Sequence, residues 1–245
     1  MNRNLELYNA AYKHMTPDFI SSNKLDAHLE LTNDAHFRFL SSFCAQFPEI
    51  NFYGKDILEV GCGAGGLIKY FNDKNALYTG FDFSNMAISI ARDYQGFRAL
   101  SGEYVCGNVC SDINLGKTYD FIFDSHLLHC LTGEDRKKYF EFIKKYLASD
   151  GRFICESMVF QKGLKLPVGY SYNESSEITK EVNGGDIPIR KLLKFQELEN
   201  EFKAQGLTID YLYYHSELSI NPFVEYSDYP ANYLPHTARL SVRLG

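Results

Sequence analysis

Apolar and polar positions follow two rhythms along this chain, one helical and one of strand type, and the two change places repeatedly. From Leu25 to Phe47, apolar side chains recur at 25, 29, 37, 40, 43 and 47, which predicts a helix laid against other structure. Thr32-Asn33-Asp34 falls in its middle and is expected to break it and cap a second segment, and Pro48 closes it. Beyond that point short β-branched runs alternate with amphipathic stretches: strand 56–60, helix 64–73, strand 77–82, helix 84–94, strands 103–106 and 119–124, helix 133–147 and strand 152–157. This order predicts an α/β fold, a doubly wound parallel sheet with helices on both faces.

Periodicity then weakens. Residues 159–194 hold Pro167, Gly169, Asn183-Gly184-Gly185-Asp186 and Pro188. An irregular connection longer than about 12 to 15 residues usually serves function, so the segment is read as a lid. A helix over 195–205 ends at Gly206, followed by strands in LTIDYLYYH at 207–215 and ARLSVRL at 238–244.

Candidate chemistry concentrates in DILEVGCGAGG at 56–66, where a strand-like run ends in glycines at 61, 63, 65 and 66. A glycine turn between strand and helix lets backbone approach a ligand closely. Gly61, Gly63 and Gly66 fit the G-x-G-x-x-G spacing of dinucleotide sites, whose task is to bind a pyrophosphate. Glu59, two residues before the first glycine, suits an ammonium or sulfonium better than a dianion. Asp82 ends the second strand, where a carboxylate can take both hydroxyls of a ribose in either cofactor class.

Two further landmarks separate the classes: Cys106-Gly107-Asn108-Val109 after a short strand, and YDFIFDSHLLHCL from Tyr119 onward. Taken together, the four segments resemble the class I S-adenosylmethionine-dependent methyltransferases, in particular their small-molecule branch, most closely over about residues 50–160. The resemblance implies a Rossmann-like seven-stranded sheet whose last strand is antiparallel. It implies one methyltransferase domain over 1–245: an N-terminal helical arm at 1–47, a cofactor-binding core at 48–158, a lid insertion at 159–194, and a C-terminal helix with the last two strands at 195–245. It also implies roles for the cofactor. Gly61 and Gly63 face the methionine portion above Glu59, Asp82 takes the ribose, and Phe83 packs near the adenine. Asn108 stands where an acid usually meets the adenine amino group, Val109 offers its backbone N–H, and Ser125 meets the amino-acid end of the cofactor.

His126 and His129 lie where the fourth strand opens, beside Asp124. A general base, a metal site of Asp124 with the two histidines, and plain packing of the turn all compete there. His129 is the candidate base, because an ordinary imidazole titrates near neutrality. No metal is expected. Glu156, at the end of the fifth strand, could accept a proton or bind a substrate cation, or hydrogen-bond local backbone. Tyr8, Tyr12, His14, Tyr170 and Tyr172 could wall an acceptor pocket. Asn221-Pro222-Phe223 superficially matches a signature of enzymes that methylate amines of bases, but it lies far downstream of the fourth strand and reads as a turn.

Composition narrows the partners. Of 245 residues, 45% are apolar and 23% charged, ordinary for a globular chain, and the net charge of −6 disfavours a nucleic-acid face. The six cysteines show no CxxC pair, and the four in or beside predicted core strands and motif turns read as small buried hydrophobes in a reducing compartment. No apolar stretch approaches the roughly 20 residues of a membrane span, so a cytoplasmic protein is expected. The function expected is methyl transfer from S-adenosylmethionine to an oxygen or nitrogen of a small-molecule acceptor, leaving S-adenosylhomocysteine. An RNA or protein methyltransferase and a non-catalytic S-adenosylmethionine-binding regulator are the alternatives, with a nicotinamide-dependent oxidoreductase more distant. Oligomeric state is not legible.

Overall fold

The β-strand rhythm of residues 56–124 reappears strand for strand in the folded chain. A computed structural model describes residues 9, 12, 13, 15, 19, 20, 23–215 and 234–245, although within 23–35 only the side chain of Leu25 is included and that of Ser125 is not. Two compact units divide the chain, Met1–Phe123 and Asp124–Gly245.

In the first unit, helix α1 (Asn23–Gln46) runs unbroken through residues 32–34, against the expected break. Asn and Asp cost only a few tenths of a kcal/mol inside a helix, and packing of Leu25, Phe39, Leu40 and Phe43, all buried, outweighs them. Strand β1 (Asp56–Val60) pairs in parallel with β2 (Leu77–Asp82), which pairs in parallel with β3 (Glu103–Cys106). Ile57, Leu58 and Val60 are all buried, as expected of a strand covered on both faces. The helix expected at 64–73 shrinks to α2 (Ile68–Asn72). Left-handed glycines keep residues 61–67 in turns, so helical hydrogen bonding starts late. Helix α3 (Asn85–Arg98) follows β2, and Ser84 caps it by accepting the Ala87 N–H at 3.1 Å. At the amino ends of the strands Lys55 pairs with Asp120 at 2.9 Å, and Lys117 pairs with Asp56.

Strand β4 (Tyr119–Ser125) leads to a 3₁₀ turn at Leu128–Cys130 and helix α4 (Gly133–Tyr146). Strand β5 (Leu147–Val159) is much longer than the expected 152–157, because the chain extends directly from α4. The sequence over 159–194 is folded rather than irregular. Strands β6 (Tyr170–Tyr172), β7 (Glu177–Val182) and β8 (Gly185–Lys191) form a separate antiparallel sheet, which corrects the reading of a lid without regular structure. Its core is Met158, Ile178 and Leu192, with Phe160, Leu166 and Ile189 packed against them. Asn183 and Gly184 close the β7–β8 hairpin with φ of 54° and 77°, the left-handed pair of a type I′ turn. Pro188 sits on β8, an edge strand that needs no donor at that position. Pairing runs Thr179↔Pro188 and then Ile178↔Arg190, so Ile189 is an extra residue, a β-bulge.

Helix α5 (Phe195–Ala204) leads to β9 (Leu207–His215), and β10 (His236–Leu244) runs antiparallel to both β5 and β9. The main sheet has the order β3-β2-β1-β4-β5-β10-β9. All six cysteines are free thiols. Only Cys62 and Cys155 are fully buried and Cys106 is exposed, so burial accounts for fewer of them than expected.

Candidate functional site

The glycine turn of the first unit is pinned to the end of β2. The N–H groups of Gly61 and Cys62 both donate to the Phe81 carbonyl, at 2.8 and 3.1 Å. Gly61 and Gly63 have φ of 72° and 53°, a region that L side chains rarely adopt. Position 63 is also crowded: a methyl group there would lie 2.7 Å from the Tyr12 hydroxyl.

Asp82 ties the turn to the next helix. Its Oδ2 accepts the Gly63 N–H at 3.0 Å and its Oδ1 accepts the Ser84 N–H at 2.8 Å. Burial raises its pKa, opposed by these backbone donors. The Ser84 hydroxyl also meets Asn9 Oδ1 at 2.5 Å. The N-terminal arm therefore reaches the glycine turn and the start of the next helix through Tyr12 and Asn9, whereas Tyr12 is among the residues that could wall an acceptor pocket on the sequence reading. Tyr8 and His14 lie outside the described residues.

Glu59 is buried, and its Oε2 accepts the Tyr78 hydroxyl at 2.5 Å. Loss of hydration pushes its carboxyl up to about 8, so at neutral pH it is mostly protonated. It is a neutral acid on Tyr78, rather than the anion that its spacing from the glycines suggests for an ammonium or sulfonium. Asn108 Oδ1 accepts the Cys110 N–H at 2.8 Å in a local Asx turn, and Val109 is buried beside it. Phe83 is half-buried. Ser125 ends β4, with its side chain outside the described set.

In the second unit Asp124 is committed to structure. Its oxygens accept the Leu127 and Leu128 N–H groups at 2.7 and 3.0 Å and the Tyr139 hydroxyl at 2.6 Å, and burial pushes its pKa up to about 7. These bonds do not leave Asp124 placed as the metal ligand weighed from sequence. His126 follows with φ of 69°, rare for a residue with a side chain, and its N–H donates to the Glu156 carbonyl at 3.0 Å.

His129 is buried, and its Nδ1 accepts the Met158 N–H at 3.3 Å. Burial, reinforced by Arg190, His126 and Arg136, holds its pKa well below the usual range. A neutral imidazole that accepts at Nδ1 carries its proton on Nε2, so this side presents a donor. That tautomer corrects the expectation of a general base. The Glu156 carboxylate, also buried, takes Arg239 at 3.0 Å, so its charge already has a partner. Arg136 is held by Glu201 through two bonds of 2.7 Å. Arg190, on β8, donates to the Cys130 thiol at 2.7 Å. Tyr172 stacks on Phe160 at 4.6 Å and bonds the Leu192 carbonyl at 2.8 Å, and Tyr170 packs on the same small core. Both build the inserted sheet rather than a pocket wall. Residues 221–223 lie outside the described set.

Sequence reasoning missed Asn9, Arg190 and Arg239, which lie far from any motif. The β7–β8 hairpin that carries Arg190 was the available signal.

Residues 58–153 match the model of a family described as a methyltransferase domain. No curated protein matches the chain. An S-adenosylmethionine-dependent methyltransferase from Methanosarcina mazei shares the fold at a TM-score of 0.65 and 17% identity, over 82% of this chain and 97% of that one. The DhpI–SAH complex does so at 0.61 and 16% identity, over 98% and 95%. The glycopeptide N-methyltransferase MtfA, complexed with S-adenosylmethionine, does so at 0.54 and 14% identity, over 84% and 92%. At such identities the structural likeness is one of fold, and the fold is that of the class I methyltransferases. Joined to the domain match, it gives a class I methyltransferase fold whose residues 58–153 match a methyltransferase domain. No helix among the described residues is long and apolar enough to cross a membrane.

Proposed function

We propose that the chain transfers a methyl group from S-adenosylmethionine to an oxygen or nitrogen of a small-molecule acceptor. The observation that carries this reading is Asp82, a buried carboxylate at the end of β2 bonded to the amides of Gly63 and Ser84. The residues fit the donor: left-handed glycines at 61 and 63 keep side chains off the turn, and the carboxylate beside them suits vicinal hydroxyls. When bound, S-adenosylmethionine supplies an electrophilic methyl group on a sulfonium whose positive charge is lost during transfer.

Gly61 and Gly63 would lie along the methionine portion with Glu59 beneath, Asp82 would hold the ribose, and Phe83, Asn108 and Val109 would frame the adenine. Ser125 would meet the amino-acid end. His129 would touch the acceptor as a hydrogen-bond donor, and Glu156 would position it through Arg239. Positioning of this kind can supply about 7 to 11 kcal/mol of a barrier, more than a general base adds. The domain is read as continuous over 1–245, with 48–158 as its donor-binding core, and as acting in the cytoplasm, where thiols stay reduced.

Calorimetry with S-adenosylmethionine and S-adenosylhomocysteine tests the assignment. Asp82→Ala should weaken both by about tenfold or more. Unchanged affinity would remove the ribose role, and no heat with either compound on the unaltered protein would sink the reading. Release of S-adenosylhomocysteine during turnover separates an enzyme from a binder.

A further inference from the structure

The two carboxyls beside the glycine turn are held in opposite ways. Asp82 accepts two backbone amides, which suit an anion, whereas Glu59 faces a phenol, its Oε2 accepting the Tyr78 hydroxyl at 2.5 Å. From Tyr78 the cluster continues to the turn itself. Tyr104 of β3 stands edge-on to Tyr78, 5.8 Å between ring centroids, and its hydroxyl lies so close beneath Gly65 that a methyl group there would clash. The Cys62 thiol lies 3.0 Å from where a methyl group on Gly80 would stand. Glu59, Tyr78, Tyr104 and Cys62 are all buried, and Gly61 follows Glu59 by two residues, no more than about 8 Å of backbone.

The titratable side chains around Glu59 are acids. Strand β2 brings Tyr78 and Asp82, the turn brings Cys62, and β3 brings Tyr104, with Cys106 at its end. From α3, Tyr94 faces Tyr104, and Arg92 donates to the Tyr104 carbonyl at 2.8 Å. Lys69 of α2 pairs with Asp73 at 3.3 Å, and His36 of α1 meets Phe123 of β4 edge-on at 6.4 Å. Lys55 and Lys117 serve Asp120 and Asp56 at the opposite ends of the strands. Burial therefore decides the state of Glu59 and pushes its carboxyl up to about 8, with Asp82 adding to the rise. A cation seated against the turn reverses that balance, because an opposite charge within about 4 to 6 Å favours the carboxylate.

We infer that Glu59 exchanges a proton with solvent in step with the charge of the donor: it ionises when the sulfonium of S-adenosylmethionine is seated and is protonated again when S-adenosylhomocysteine is left. The inference rests on the methyltransferase reading and deepens it. Only the sulfonium compound carries the positive charge that offsets the burial of a carboxylate. One proton leaves to solvent as the donor binds, and one returns after the methyl group has gone. The sign of the pH dependence follows. At low pH Glu59 stays protonated whichever compound is bound, and the two are not told apart by it. As pH rises toward about 8, ionisation increasingly favours the sulfonium compound over the product, and above that value the preference is constant.

The test is calorimetry of the full chain with both compounds, in phosphate and in Tris, whose different ionisation enthalpies reveal the protons released. At pH 7 S-adenosylmethionine should release roughly half a proton to one proton more than S-adenosylhomocysteine. Its affinity relative to S-adenosylhomocysteine should rise about tenfold or more from pH 6 to pH 8. Glu59→Gln cannot titrate, so both effects should disappear, apart from what the ligands' own amino groups contribute in either protein. Tyr78→Phe removes a bond that favours the anion, so it should move the rise to higher pH without abolishing it. Cooperative denaturant unfolding shows that each variant is folded. Equal proton release by the two compounds, an affinity ratio flat from pH 6 to 8.5, or a Glu59→Gln protein with the parent's proton release would each overturn the inference. If neither compound binds the unaltered protein, the methyltransferase reading itself fails.

Discussion

Glu59 shows how burial can reverse the chemistry suggested by a motif. Its place in the strand-to-glycine sequence was legible at once, but its protonation was not, because Tyr78 and the loss of hydration act through the fold. Burial pushes the carboxyl up to about 8 in the folded chain, against 4.5 for an ordinary glutamate. Below the lower value both states hold the proton and the group costs nothing. As pH climbs toward 8 the unfolded chain releases its proton while the fold retains it, so stability falls by roughly 3 to 5 kcal/mol. Glu59→Gln keeps the shape and an acceptor for Tyr78 without the titration. Denaturant unfolding should therefore find this variant close to the parent at pH 5 and more stable at pH 8.5. An unchanged difference between the two pH values would contradict the buried neutral acid. His129 teaches a related lesson. Its location was legible, yet which nitrogen carries the proton depends on the Met158 amide, which no local pattern reveals.

At the scale of elements, the parallel strands read well because each is a short β-branched run buried on both faces. The inserted sheet did not. Pro188 argued against a strand, and the bulge at Ile189 spoiled the alternation by which a half-buried strand is recognised. Asn183-Gly184 was nevertheless a strong local hairpin signal, and reading it first would have converted the lid into strands. Gly184 has φ of 77° and open space around it, so an added methyl group meets no neighbour and costs only backbone strain. Gly184→Ala should destabilise the chain by about 1 to 2 kcal/mol, measured by chemical denaturation. A smaller loss would mean that the hairpin tolerates another turn type. The buried Arg136–Glu201 pair, which joins α4 to α5, was equally hidden because its partners are distant in sequence.

For the molecule as a whole, the strand order β3-β2-β1-β4-β5-β10-β9, with β10 antiparallel to its neighbours, follows from alternation at the start of the chain and from two late strands that pair with each other in antiparallel. The net charge of −6 carries a prediction at this scale. Binding to poly(U) at about 50 mM salt should be absent or too weak to show the steep salt dependence of phosphate neutralisation. Tight, salt-sensitive binding would favour an RNA acceptor instead.

One carboxylate clasps the glycine turn to the start of the next helix. Because Asp82 holds the amide of Gly63 and that of Ser84, and Ser84 in turn engages Ala87 and Asn9, occupancy at a single side chain is transmitted to a loop, a helix start and the arm together. Deuterium uptake at the Gly63, Ser84 and Ala87 amides should slow in concert when S-adenosylhomocysteine is added. Three unrelated responses would show that these contacts stand side by side without acting as one clasp.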